Sequence, residues 1–170
     1  MKAIFICTSL LLGLASLAGC QREDLDEPLK LSGKVFIFNY RLAQATYVVT
    51  LNRNGPLPEP SFVETTFENP AGGAPLVTRN KIFAFWEKVS LESPPVHCIV
   101  KGRPYAISIR ILDGSDNALQ TIETTLTSNL DQTIMPGKPL VVGPIYTPNP
   151  EVYGADGKLD YAKADTCPAS

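Results

Sequence analysis

The stretch that decides the fold reads Tyr105-Ala106-Ile107-Ser108-Ile109-Arg110-Ile111-Leu112. Tyr105 and the three isoleucines recur at every second position, and Ser108 and Arg110 lie between them. This period of two is typical of a β-strand with one face in a core and the other in water. A loop rich in turn-forming residues follows at 113–117, and then a Thr-rich run at 118–127. The pattern predicts a β-hairpin.

Further strands are predicted on both sides of this hairpin. Lys34–Tyr40 is rich in β-branched and aromatic residues, and we expect a strand that is buried on both faces. Ala45–Asn52 alternates again and is ended by the turn residues Asn54, Gly55 and Pro56. Phe62–Phe67 predicts a third short strand, and Leu140–Val142 predicts the last one.

Strands separated by Gly- and Pro-rich loops are typical of a β-sandwich. The chain has 15 prolines in 170 residues, which leave little room for long helices. We therefore predict one all-β, antiparallel sandwich domain at residues 31–147. Gly102-Arg103-Pro104-Tyr105 resembles the tyrosine corner of immunoglobulin-like and fibronectin type III-like domains. A transthyretin-like sandwich has much the same pattern, so the sequence leaves both topologies open.

One segment, residues 80–91, fits two structures. Ile82, Phe85, Trp86 and Val89 have the i, i+3, i+4, i+7 spacing of a short amphipathic helix. Alternating apolar residues in the same segment fit a strand almost as well. We interpret it as a short helix or helical turn whose aromatic residues pack in the core, with an exposed partner-binding patch as the alternative.

The first twenty residues have the layout of an export signal. Met1-Lys2 is followed by an apolar or small run from Ala3 to Ala18. The run ends in Leu17-Ala18-Gly19-Cys20, which resembles the lipobox of bacterial lipoproteins. The resemblance implies that residues 1–19 are a signal peptide and that Cys20 carries a lipid. An uncleaved transmembrane anchor is the alternative, because the run is close to the length that spans a bilayer.

The resemblance also implies a location. Several acyl chains on Cys20 would hold the protein to the membrane. Gln21, in place of Asp, favours the outer membrane over the inner membrane, on its periplasmic face. Residues 20–30 are rich in charge and poor in apolar side chains, which predicts a flexible tether.

Two cysteines remain for the mature domain, Cys98 and Cys167. In an oxidising compartment such a pair predicts a disulfide, here one that ties an irregular C-terminal tail, residues 148–170, to the middle of the domain. A metal-binding thiol pair and two unrelated buried thiols are the alternatives. Neither has further ligands nearby, since His97 is the only histidine in the sequence.

Composition and motifs exclude several functions. A formal net charge of −2 argues against a nucleic-acid partner, which needs a basic surface. No local nucleophile motif predicts an enzyme, and no pattern predicts a cofactor or metal site. We therefore expect a structural or interaction module with an envelope protein partner, an assembly or accessory role included. The alternative is a small-ligand or glycan-binding module that uses Trp86, Tyr146 and Tyr153.

Overall fold

The computed structural model describes residues 27–161 and Cys167. In chain order the strands are β1 (Leu29–Asn39), β2 (Gln44–Arg53), β3 (Ser61–Phe67), β4 (Leu76–Ile82), β5 (Lys88–Glu92), β6 (Pro104–Leu112), β7 (Ala118–Thr127), β8 (Val141–Val142) and β9 (Thr147–Pro148). One turn of 3₁₀-helix, Gln132–Ile134, lies between β7 and β8.

The strands form an antiparallel β-sandwich, which confirms the predicted fold class. One sheet has the order β1-β2-β5 and the other β4-β3-β6-β7, with β8-β9 as a small separate ribbon. The predicted hairpin is β6-β7, and Asp113 N–H donates to Asn117 O at its loop (3.0 Å). The isoleucines of β6 are fully buried, and an aromatic cluster of Phe36, Tyr47, Phe67 and Tyr105 packs between the sheets.

The strand registers divide the loops between two ends of the sandwich. Leu29 pairs with Arg53 and Asn52 with Lys88, so the start of β1, the end of β2 and the start of β5 lie together. We call this the proximal end, because the described chain begins there. The β1–β2 turn and residues 93–103 lie at the other end, which we call the distal end. Ten residues of β2 at ~3.3 Å each separate the two ends by about 30 Å.

The tyrosine-corner resemblance has its counterpart in the geometry. Tyr105 is buried at the distal start of β6, and its hydroxyl accepts a hydrogen bond from Val100 N–H at 2.7 Å. Tyr47 makes a similar contact, since its hydroxyl donates to Glu68 O at 2.8 Å. Burial raises the pKa of Tyr47 far above the usual tyrosine value, so this hydroxyl stays a donor.

The first predicted strand is longer than expected and is not buried on both faces. β1 pairs with β2 alone, and it alternates between the buried Phe36 and the exposed Val35 and Ile37. The apolar run of the sequence therefore belongs to an edge strand with one face in water. β1 also begins at Leu29, so Leu29 and Lys30 are part of the sheet and not of the predicted tether.

The helix predicted around Ile82–Val89 is wrong. Ile82 ends β4 in one sheet and Val89 lies in β5 of the other sheet, and both side chains are buried. The chain crosses between the sheets through a tight turn, in which Trp86 N–H donates to Phe83 O (3.0 Å). The helical spacing therefore arises from two buried strand residues and a turn between them.

Cys98 and Cys167 form the predicted disulfide, with a Cα–Cα distance of 5.4 Å. The metal-site and free-thiol alternatives are thereby excluded for this pair. The predicted signal peptide, Cys20 and residues 21–26 of the tether lie outside the described residues. Among the residues that are described, no helix is long and apolar enough to span a membrane.

Candidate functional site

The largest exposed aromatic cluster lies at the proximal end, in the turn between β4 and β5. We call Phe83–Trp86 the aromatic turn. The rings of Phe83 and Phe85 lie 5.6 Å apart, those of Phe83 and Trp86 5.2 Å, and those of Phe85 and Trp86 6.4 Å. Phe85 is nevertheless 73% exposed and Trp86 is 37% exposed. Trp86 is therefore not a core residue, and the predicted packing of these aromatic residues in the core is wrong; that the exposed rings bind a partner stays a prediction.

Two charged side chains hold the backbone of the aromatic turn in place. The Arg53 guanidinium donates to Trp86 O (3.1 Å), to Phe83 O (3.3 Å) and to Gly55 O (3.3 Å). The Glu59 carboxylate accepts from Ala84 N–H at 3.1 Å. Both ends of the turn are thereby bonded to Arg53 at the end of β2, and Ala84 is bonded to the neighbouring loop at 54–60. Because the backbone is fixed, the exposure of the rings is a property of the folded domain.

A second exposed cluster lies at the distal end, on the hairpin formed by β8 and β9. Its turn carries Ile145, 80% exposed, and Tyr146, 53% exposed. The Arg41 guanidinium lies over the Tyr146 ring, 5.4 Å from its centroid. Leu140 N–H donates to Arg41 O (2.8 Å), which joins the base of the hairpin to the β1–β2 turn. We call Ile145 and Tyr146 the distal hairpin tip.

Tyr146 has a φ of +55°, in the left-handed region that favours glycine. Tyr146 N–H closes the turn by donating to Gly143 O at 3.2 Å. A tyrosine in this conformation costs about 1 kcal/mol relative to glycine.

Tyr153, 39% exposed, lies in the part of the chain that follows β7, residues 128–161, which we call the C-terminal segment. Tyr153 N–H donates to Asn149 O (2.9 Å), and Asn149 N–H donates to Leu140 O (3.0 Å) at the base of the hairpin. Further exposed apolar side chains share this segment, namely Leu130, Ile134, Val142 and Leu159.

The C-terminal segment is bonded to the loop that precedes β6. Gln132 N–H donates to Ile99 O (2.8 Å), and Lys101 N–H donates to the Asp131 carboxylate (3.4 Å), which also accepts from Thr133 N–H (3.0 Å). The bond to Thr133 N–H holds the pKa of Asp131 below its usual value, so this cap is ionised at neutral pH. With the disulfide, these contacts fix the segment as one side of the distal end.

The predicted site residues therefore divide into two groups that do not meet. Trp86 lies at the proximal end, whereas Tyr146, Tyr153 and the disulfide lie at the distal end. Ile145 and Arg41 also lie at the distal end but are not among the predicted contact residues. The run Gly143-Pro144 before Ile145 and Tyr146 is a turn signal that predicts their exposure.

Both clusters present aromatic and aliphatic side chains to the solvent. His97 is exposed beside the disulfide. Within residues 27–161 and Cys167, no three His, Cys, Asp or Glu side chains converge to hold a metal ion. Exposed aromatic and aliphatic side chains on a fixed backbone suit binding to a protein, a glycan or a lipid surface.

Comparison with solved structures finds several similar chains, among them two from Bacteroides uniformis. One is the crystal structure of its β-glucuronidase, and the other is its β-glucuronidase 2 covalently bound to cyclophellitol-6-carboxylate aziridine. Each match has a TM-score of 0.41 and 14% identity, and it covers 59% of this chain and 13% of that chain. No protein-family model and no curated protein sequence matches the chain.

Proposed function

We propose that this chain is a lipid-anchored lipoprotein of the bacterial cell envelope that acts as an interaction module, in an assembly or accessory role. Its acyl chains are carried by Cys20, on the periplasmic face of the outer membrane. The distal hairpin tip docks an envelope protein partner. One observation carries the proposal: the sandwich fixes two strongly exposed apolar side chains, Ile145 and Tyr146, at the end opposite the one where the tether joins.

Three features of the molecule support this arrangement. A disulfide is typical of exported proteins. The tether joins the sheet at Leu29, on the proximal end, so the distal end points away from the anchor. Exposed apolar side chains rimmed by polar groups are typical of protein-binding surfaces, in which tyrosine and arginine are enriched.

The lipid anchor is tested by replacing Cys20. We expect mass spectrometry of the wild-type protein to find an acylated Cys20 as the first residue, and Cys20→Ala to appear in the soluble fraction with its sandwich intact. A Cys20→Ala protein that stays in the membrane fraction with residues 1–19 attached would support the uncleaved anchor instead.

The docking surface is tested with a photo-crosslinking amino acid at position 145 in living cells. We expect one discrete adduct with an envelope protein. The same amino acid at Thr121, which is exposed on the outer face of β7, should give none. Equal adducts at both positions would contradict a specific docking surface.

Tyr146→Gly separates docking from folding. Glycine relieves the left-handed strain but loses the contact with Arg41, so we expect the free energy of unfolding to stay within about 1 kcal/mol of wild type. The adduct at position 145 should nevertheless be lost. Urea unfolding of both proteins measures the first quantity, and the crosslinking yield measures the second.

A glycan or small-ligand module is the second candidate, because the rings of Tyr146 and Tyr153 share the C-terminal segment and offer flat faces for stacking. The same variants separate the two functions. A protein partner gives the adduct at position 145, whereas a glycan gives no adduct but perturbs the tyrosine signals in NMR titrations with envelope oligosaccharides.

A further inference from the structure

We propose that the aromatic turn is a second membrane contact, in which Phe85 and Trp86 insert into the interface of the bilayer that holds the acyl chains. This inference rests on the proposed lipidation of Cys20. It adds an orientation to the anchor: the proximal end lies on the membrane surface and the distal hairpin tip faces away from it.

The tether joins the domain beside the aromatic turn. Gly55 N–H donates to Pro28 O at 3.2 Å, and the Asn54 side-chain amide donates to Glu27 O at 3.0 Å. Gly55 O in turn accepts from the Arg53 guanidinium, which also holds Phe83 O. One loop residue and one guanidinium group therefore link the point where the tether joins to the aromatic turn.

The tether is too short to hold this end far from the bilayer. Cys20 and Glu27 are separated by 27 − 20 = 7 residues. Even fully extended, seven residues span at most about 25 Å. The distal end lies about 30 Å further along β2. Of the two exposed clusters, the aromatic turn is thus the one that the anchor keeps close to the lipid.

The chemistry of the aromatic turn suits the interface. Tryptophan is enriched at the headgroup level of membranes, and phenylalanine inserts next to it on the apolar side of interfacial segments. Lys81 and Lys88 are exposed on the flanking strands, and the Lys81 Nζ atom lies 5.0 Å from the Phe83 ring centroid. Long lysine side chains at such positions reach headgroup phosphates while their stems remain on apolar surface.

Charges of both signs surround the turn, so it does not form a basic patch. The exposed Glu87 and the Glu59 carboxylate, which is bonded to Ala84 N–H, lie among the positive groups of Lys81, Lys88 and Arg53. The contact is therefore driven by burial of the rings, and we expect it on zwitterionic lipid and in high salt alike. A contact driven by a basic patch would instead weaken as salt screens it.

Trp86 is the only tryptophan in the sequence and reports directly on this contact. The experiment uses the full, lipidated protein purified from envelopes and reconstituted into phosphatidylcholine vesicles, with or without bromine atoms on the acyl chains. We expect the brominated lipid to quench Trp86 emission. Phe85→Ser should reduce that quenching several-fold, because it removes the most exposed ring of the turn. Ile145→Ser, at the distal hairpin tip, is the matched control and should leave quenching unchanged.

Flotation of the vesicles separates the possible failures. Protein that floats but has the same Trp86 emission in plain and brominated vesicles overturns the membrane contact and leaves the lipid anchor standing. Protein that does not float overturns the anchor and, with it, this inference. A floating, unquenched protein in which position 86 crosslinks to an envelope protein would overturn the membrane contact and assign the aromatic turn to protein docking.

Discussion

Replacing both Cys98 and Cys167 with alanine is expected to lower the free energy of unfolding by about 4 kcal/mol. The disulfide closes a loop with a sequence separation of 69, and in the chain-entropy model a loop of this size restricts the unfolded chain by about that amount. In urea, the midpoint of unfolding should fall by about 2 M. A shift below about 0.5 M would contradict the loop-closure account for this chain.

The folded sandwich should survive this change. Gln132 N–H still bonds to Ile99 O, and the Asp131 carboxylate still caps Thr133 N–H, without help from the sulfur atoms. The far-ultraviolet circular dichroism of the double variant should therefore match that of the wild type. The single variant Cys167→Ala serves as the control, because it breaks the same bond and keeps the thiol at position 98. Both variants should lose the same stability.

The part of the fold that the sequence predicted well is the part in which local pattern and tertiary position agree. β6 alternates because one face is in the core, and its loop at 113–117 consists of turn formers, so hairpin and register follow from neighbouring residues. The disulfide was predictable for a different reason, since the predicted signal peptide and lipidation site account for Cys7 and Cys20 and leave two cysteines.

The missed strand shows where local pattern fails. β4 has Thr78, Arg79, Asn80 and Lys81 in its centre, which no apolar alternation marks as a strand. It forms because β3 offers a paired edge, from Ser61 opposite Ile82 to Phe67 opposite Leu76. Cross-strand pairs such as Glu64 with Arg79 support it from the outer face. This pairing depends on residues that lie 9 to 21 positions away in the sequence.

The sequence predicted which residues of the candidate sites make contacts, but not where these residues lie on the domain. An exposed tryptophan or tyrosine is recognisable as a contact residue, whereas the assignment of Trp86 to one end and Tyr146 to the other requires the registers of β1, β2 and β5. Ile82 and Val89 had also suggested a helix. Where the chain crosses from one sheet to the other, its buried residues have the same spacing as those of a helix. The sequence alone does not distinguish such a crossover from a helix.

The two ends of the sandwich give the proposed module a direction. At the proximal end, Arg53 joins the loop beside the tether to the aromatic turn. At the distal end, the disulfide and Arg41 join the C-terminal segment to the sandwich. A force applied through the tether therefore acts first on the start of β1, and the contacts that hold Leu29 decide whether the sheet resists it.

Gln120→Met is expected to destabilise the domain by about 2–4 kcal/mol, because Gln120 clamps the start of β1. Its amide nitrogen donates to Leu29 O (2.7 Å) and its amide oxygen accepts from Leu29 N–H (3.1 Å). Leu29 is fully buried and Gln120 is 8% exposed, so both backbone groups lose their partners away from water. Each such group costs about 1–3 kcal/mol. Methionine keeps the volume of the side chain, so the loss reports on hydrogen bonding rather than on a cavity.

Two further variants sharpen this prediction. Thr121→Ala changes the next, exposed residue of β7 and should alter stability by less than about 0.5 kcal/mol.

The stability of the Gln120→Glu variant should depend on pH. A protonated carboxyl group can both donate to Leu29 O and accept from Leu29 N–H, whereas the carboxylate anion faces a carbonyl oxygen. Burial and that carbonyl raise the pKa of the carboxyl group in the folded state, so the stability lost at neutral pH returns as the pH falls through the folded-state pKa. Urea unfolding measured across the acidic range checks whether the Gln120→Glu variant becomes more stable as the pH falls. A Gln120→Met protein as stable as wild type would show that the clamp does not hold β1.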